Sequence, residues 1–148
     1  MKRVFSAIAV ISTLAFAGSV CASEVLLTKS DSKSVGSIAL DIVSDGSATA
    51  FDFVIPLASS DARKVNPKQI DLSKCVAELP KTHTGACAYR SKTNDIAVFV
   101  YSPTNALLPE GIVGVGRISA PVAISKSLKI GRAEFSAPGG KVVAETKN

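Results

Sequence analysis

The chain has 148 residues, of which 47% are hydrophobic, and a formal net charge of +5 at pH 7. This size fits one folded domain with a buried core, and neither an internal repeat nor a low-complexity segment interrupts it. The positive charge is scattered, without a basic run of five or six residues, so we predict no nucleic-acid partner.

The first 22 residues have the layout of a secretory signal peptide. Lys2 and Arg3 precede an apolar run at 4–17, and small side chains then lead to a predicted cleavage site between Ala22 and Ser23. The apolar run is too short to cross a bilayer as a helix, and no later segment is long enough. The sequence therefore predicts an exported protein, periplasmic or secreted.

A lipid anchor on Cys21 is the alternative interpretation of this leader. Lipoprotein signals usually place a small residue immediately before the modified cysteine, and this chain has Val20 there. The preferred organisation is a signal peptide at 1–22 and one domain at 23–148 that has no transmembrane segment.

After the leader, short runs rich in Val, Ile and Phe alternate with clusters of Gly, Pro, Asn, Asp and Ser, which is typical of strands and turns. The predicted strands are 24–28, 35–44, 48–57, 69–73, 86–90, 95–102, 112–122, 128–136 and 141–145. Asp45-Gly46 is a turn signal that predicts a hairpin over 35–57, and Pro138-Gly139-Gly140 predicts a second hairpin. Many short strands in one domain predict an all-β fold, either a sandwich or a barrel.

Two predicted strands show which of their faces is apolar. In 48–57 the large apolar side chains fall on one side, so this side should face the core. They are Phe51, Phe53, Ile55 and Leu57. In 95–101 both sides are apolar, which predicts a central strand whose outer side is also covered. One side carries Ile96, Val98 and Val100, and the other carries Ala97, Phe99 and Tyr101.

Cys75 and Cys87 are the two cysteines that follow the leader, and a pair in an exported protein favours a disulfide. Closing so short a loop would restrict the unfolded chain by roughly 3 kcal/mol. A metal site or a reactive thiol is the alternative. The only histidine, His83, lies between the cysteines in a polar loop, where we expect it to be exposed, and three ligands without a fourth are weak support for zinc.

The glycines at 111, 114 and 116 lie inside a β run rather than before a helix, so they predict a bulge or a close backbone approach and not a phosphate cradle. We predict no cofactor and no metal ion.

Three pieces of the sequence carry a resemblance to a known family. Residues 46–56 enter the core through alternating aromatics, 96–102 and 107–118 form two β runs joined by a loop with a Pro-Glu-Gly turn, and 133–143 form a closing hairpin. Together they resemble the cohesin-like β-sandwich, a jelly-roll-type fold shared with some bacterial carbohydrate-binding modules. The resemblance implies a binding or scaffolding role without catalysis.

The sequence thus predicts a non-enzymatic binding or assembly module whose partner is another envelope or secreted protein of a bacterium. Tyr89, Arg90 and Asn105 are the predicted binding-surface residues, because they lie in or beside the loops 75–87 and 102–111. A carbohydrate-binding module is the alternative, although the chain has no Trp and only two tyrosines. A small secreted hydrolase is a third hypothesis, weakened by the single histidine and the paired cysteines.

Overall fold

The computed structural model describes residues 23–57 and 66–147, which form two antiparallel sheets. The predicted signal peptide at 1–22 lies outside these residues. The strands are β1 (Glu24–Asp31), β2 (Val35–Ser44), β3 (Ala50–Pro56), β4 (Thr84–Arg90), β5 (Asp95–Tyr101), β6 (Gly111–Pro121), β7 (Arg132–Ser136) and β8 (Val142–Lys147). A 3-10 helix (Pro67–Gln69) and a short helix α1 (Val122–Ser125) complete the described elements, and neither is long and apolar enough to cross a membrane.

The two sheets enclose the core between their inner faces. One sheet has the strand order β1-β2-β6, and the other has the order β4-β5-β3-β7-β8. Every second side chain of β2 and of β3 is buried, and the central members of the core are Ile38, Leu40, Ile42, Phe51, Phe53, Ile55 and Phe135. The predicted all-β sandwich is confirmed, and so is the core-facing side of 48–57.

The predicted hairpin over 35–57 is wrong, because β2 lies in the three-stranded sheet and β3 in the five-stranded sheet. Asp45 forms a local turn, in which its Oδ1 accepts hydrogen bonds from the backbone N and Oγ of Ser47. The next residues then bond to other strands, since the N–H of Thr49 donates to the carbonyl of Ser136. The turn therefore carries the chain across the core, and β2 and β3 meet face to face rather than edge to edge.

Two other predicted strands differ from the structure. Residues 69–73 form the end of the 3-10 helix and a turn, with only a single bridge between Asp71 and Ser119, because Pro67 and the capping Asn66 start a helical turn there. Of 128–136, only Arg132–Ser136 is a strand. The second predicted hairpin is confirmed, since β7 pairs with β8 across the turn at Pro138-Gly139-Gly140.

The predicted disulfide between Cys75 and Cys87 is present, and it connects two parts of the sandwich. Cys87 lies on β4, at one edge of the five-stranded sheet. Cys75 lies in a segment, residues 71–78, that runs along the edge of β6 in the other sheet. The bridge therefore links neighbouring edges of the two sheets.

Candidate functional site

The outer side of β3, β4 and β5 is an apolar surface that no described residue covers. Pairing in register places the outward side chains of β4 and β3 directly beside those of β5, as Ala86 and Asp52 flank Phe99. We call this surface the apolar face. Its members are Ala50, Val54, Thr84, Ala86, Ala88, Ala97, Phe99 and Tyr101.

Two aromatic rings lie on β5, the middle of the three strands that form the apolar face. Phe99 is 52% exposed and Tyr101 is 42% exposed, and their ring centroids lie 5.5 Å apart with a tilt of 31°. The flanking side chains on β4 are small, so both rings project above their surroundings. Rings of this size bury a large apolar area when a partner covers them, and such contacts dominate interface energetics.

The outward side chains of β7 and β8 place charges next to the apolar face. Arg132 donates to Glu134 at 2.7 Å, and it lies 3.9 Å from Asp52 and 4.0 Å from Glu145. Lys147 makes an ion pair of 2.9 Å with Glu145. We call these side chains, Asp52, Arg132, Glu134, Glu145 and Lys147, the charged strip. The outer surface of the sheet is thus divided into an apolar half and a charged half.

The pKa values of these groups reflect their partners. Partial burial raises the pKa of Asp52, and the nearby positive charge of Arg132 acts against this. The hydrogen bond from Lys147 lowers the pKa of Glu145, and the hydrogen bond to Glu134 raises the pKa of Arg132. The charged strip therefore holds acidic and basic groups within 4.0 Å of one another.

Tyr89 and Arg90, which the sequence predicted as binding residues, lie at the turn between β4 and β5. The hydroxyl of Tyr89 donates to Asn94 at 3.0 Å, and Arg90 makes two hydrogen bonds, of 2.7 and 2.8 Å, to Asp95. Both side chains thus brace the turn. Their role in binding stays a prediction.

Asn105, the third predicted binding residue, lies at the opposite end of β5 from Tyr89 and Arg90. It lies in the exposed loop that follows Tyr101, the last residue of that strand, and its backbone has a φ of 56°. A seven-residue strand spans roughly 20 Å. The structure therefore does not bring the three predicted residues into one patch.

His83 was predicted to be exposed, and this prediction is wrong. Its side chain is only 7% exposed, and the residue lies immediately before β4. The ring Nδ1 lies 3.0 Å from the hydroxyl of Thr82, and Nε2 is buried without a hydrogen-bond partner among the described residues. Burial lowers the pKa of His83.

Lowering the pH should therefore destabilise the protein through His83. Because the pKa of His83 in the folded state is below the ordinary value of 6.5, the unfolded chain binds more protons as the pH falls through that value. We expect the free energy of unfolding to fall between pH 7 and pH 5, by no more than about 1.4 kcal/mol per pH unit for this one group. Urea unfolding of the wild type and of His83→Gln at pH 7 and pH 5 measures this change in the free energy of unfolding. An equally large fall in stability in the two proteins would contradict the prediction.

Within the described residues, no group of three or more His, Cys, Asp or Glu side chains is arranged to hold a metal ion.

The chain matches no protein-family model and no curated protein sequence. Among solved structures, a cohesin module from a family 33 glycoside hydrolase of Clostridium perfringens superposes with a TM-score of 0.53. The match has 12% identity and covers 85% of this chain and 96% of that module. The chain folds as a cohesin-like β-sandwich. A type II cohesin–X-dockerin complex from Acetivibrio cellulolyticus gives a TM-score of 0.44 at 9% identity, over 84% of this chain and 85% of that one.

The exposed rings of Phe99 and Tyr101 were not among the binding residues that the sequence predicted. The pattern of 95–101 correctly predicted an interior strand, since β5 lies between β4 and β3. It also predicted a covered outer side, and in the described chain that side is uncovered. The signal was present in the sequence as a strand with two apolar faces.

Proposed function

We propose that this chain is an exported protein-binding module whose binding surface is the apolar face. The observation that carries the proposal is the exposure of Phe99 and Tyr101 on an interior strand. A strand with two apolar faces is typical of sheets covered on both sides, and the residues that the structure describes cover only one. A partner protein that packs on the apolar face would supply the missing layer.

The surroundings of the rings support a protein as the partner. Small side chains on β4 leave a flat approach to the rings, and the charged strip beside them can fix the orientation of an incoming surface. The cohesin-like fold is consistent with a binding role, although fold likeness does not identify the ligand. Export is supported by the leader pattern in the sequence and by the disulfide, which is typical of oxidising compartments.

Site-specific photo-crosslinking in cells that produce the protein tests the proposal. A photoreactive phenylalanine analogue at position 99 should form an adduct with a distinct protein. The matched control is the same analogue at Ile112, which is 76% exposed on β6 in the other sheet and should give no such adduct. Equal adducts from both positions, no adduct from position 99, or adducts with polysaccharide alone would contradict the proposal.

The captured protein then allows a quantitative test. Phe99→Lys should weaken its affinity about 30-fold or more, because a central aromatic contact is typically worth 2 kcal/mol or more. Ile112→Lys, which makes the same chemical change on the opposite sheet, should leave the affinity unchanged. Isothermal titration calorimetry of the two variants distinguishes the outcomes, and a similar loss in both would argue against this surface.

A further inference from the structure

The segment 71–78 is a run of turns that lies along the edge of β6 and is hydrogen-bonded to it. The N–H of Asp71 donates to the carbonyl of Ser119 at 2.8 Å, and the N–H of Ser119 donates back at 3.1 Å. Further along, the N–H of Arg117 donates to Lys74 at 2.8 Å, and the N–H of Glu78 donates to Val115 at 3.1 Å. These bonds occupy the backbone groups on the side of β6 that faces away from β2. We call this segment the edge cover.

The contact between the edge cover and β6 is close. Gly116 meets the backbone of Lys74 and Cys75 so tightly that a Cβ atom at this position would overlap both. Arg117 and Glu78 add an ion pair of 2.9 Å on the surface. The edge cover therefore occupies the edge of β6 between Val115 and Ser119.

Few other interactions of the edge cover hold it there. Cys75 is its one fully buried residue, whereas Leu72 and Val76 are partly buried and the remaining residues are exposed. Its ion pair is exposed, and exposed pairs contribute little. The net contribution of a backbone hydrogen bond is similar in size to the entropy lost on ordering one residue. The cover makes four such bonds to β6 and three within itself, which the N–H groups of Ser73, Cys75 and Ala77 donate. These seven bonds are set against the ordering of eight residues, so we infer that the disulfide to β4 supplies the remaining stabilisation.

We propose that the edge cover is releasable, and that the Cys75–Cys87 disulfide controls its release. With the bridge intact, the cover closes the edge of β6. When the bridge is reduced, the cover detaches and the backbone groups of Val115, Arg117 and Ser119 are exposed on an open strand edge. An open edge of this kind is a surface on which strands of other chains pair.

The reduction needs a dithiol as its co-reactant. One thiolate of the dithiol attacks a sulfur of the bridge and forms a mixed disulfide, and the second thiolate then displaces the cysteine. The protein gains two electrons and two protons and ends with thiols at Cys75 and Cys87. The dithiol is oxidised to a cyclic disulfide.

Residue-resolved amide hydrogen exchange of the full chain, before and after dithiothreitol, tests the proposal. The amides of Asp71, Glu78, Arg117 and Ser119 should exchange about tenfold faster or more after reduction. Amides of β2 and β3 should change by less than about twofold, because these strands are paired on both sides. Alkylation and mass spectrometry of the same sample establish that both thiols have formed.

Two results would overturn the proposal. Unchanged protection of the four amides would mean that the cover stays in place without the bridge. A common acceleration of all amides would mean that reduction unfolds the whole sandwich rather than releasing one segment.

Two variants test the proposal by the same hydrogen-exchange measurement without a reductant, which is needed if the native disulfide is not reduced. The Cys75→Ser/Cys87→Ser protein should show the exchange pattern of the reduced chain without any reductant. Glu78→Gln removes the ion pair but keeps the bridge, and it should retain protection within about twofold of the wild type. If Glu78→Gln loses as much amide protection as the double cysteine variant, the ion pair keeps the edge cover in place, and the proposal is contradicted. If the double variant does not fold, the disulfide supports the whole sandwich, which also contradicts it.

Discussion

Phe53→Ala is expected to lower the free energy of unfolding by about 3–5 kcal/mol. Phe53 is completely buried on β3, the middle strand of the five-stranded sheet, and its ring stacks on Phe51 with centroids 6.2 Å apart. Its strand neighbours Val98 and Ala133 are held by sheet pairing, so they cannot move in to fill the space. The substitution therefore loses the transfer free energy of the ring and leaves a cavity.

Urea unfolding followed by circular dichroism measures this effect, and Phe99→Ala is its matched control. Phe99 lies on the adjacent strand, and its ring points to the other side of the same sheet. Because half of that ring is already in water, we expect its removal to cost about 1 kcal/mol or less. Comparable losses in the two variants would contradict the assignment of one side to the core and the other to the apolar face.

The contrast between Phe53 and Phe99 also shows what the sequence could predict. Alternation in 48–57 assigned Phe53 to the core, because a strand with one apolar side has only one way to bury it. Alternation in 95–101 could not distinguish two buried sides from one buried and one exposed side. That distinction depends on what packs against the sheet, and a single sequence carries no information about a partner.

Turn signals in the sequence did not correctly predict which strands pair with each other. Asp45-Gly46 correctly marked a turn, but a turn signal does not specify whether the next strand pairs beside the last one or crosses to the other sheet. The crossing was decided by bonds to residues distant in the chain, such as that between Thr49 and Ser136. The burial of His83 was also missed, because its polar neighbours predicted an exposed loop and local sequence does not show what packs against a loop.

The glycines of β6 were predicted more successfully. The expected bulge lies in β6 at Val115, because the neighbours Leu40 and Asp41 of β2 pair with Gly116 and Gly114. The expected close approach of backbone is the contact of Gly116 with the edge cover. A glycine inside a strand indicates a bulge or a close backbone approach, because a side chain at that position would collide with the neighbouring backbone or would not tolerate the local conformation.

Gly116→Ala should accordingly lower the free energy of unfolding by about 1–3 kcal/mol, and its effect should be concentrated on the edge cover. The added methyl group would overlap the backbone of Lys74 and Cys75, and backbone atoms held by a disulfide cannot rotate away. The cover would have to shift off β6, which breaks the hydrogen bond between Arg117 and Lys74. Urea unfolding gives the loss of stability, and hydrogen exchange at Arg117 locates it.

Gly114→Ala is the control on the same strand, because it adds the same atom two residues away. There the new methyl group would lie 3.3 Å from Oε2 of Glu78, the mobile end of a side chain that can move aside. We expect a loss of less than about 1 kcal/mol and unchanged exchange at Arg117. If both glycine variants lose the same stability, the cost arises from the conformation of β6 itself. The close approach of the edge cover would then not be the reason for glycine at position 116.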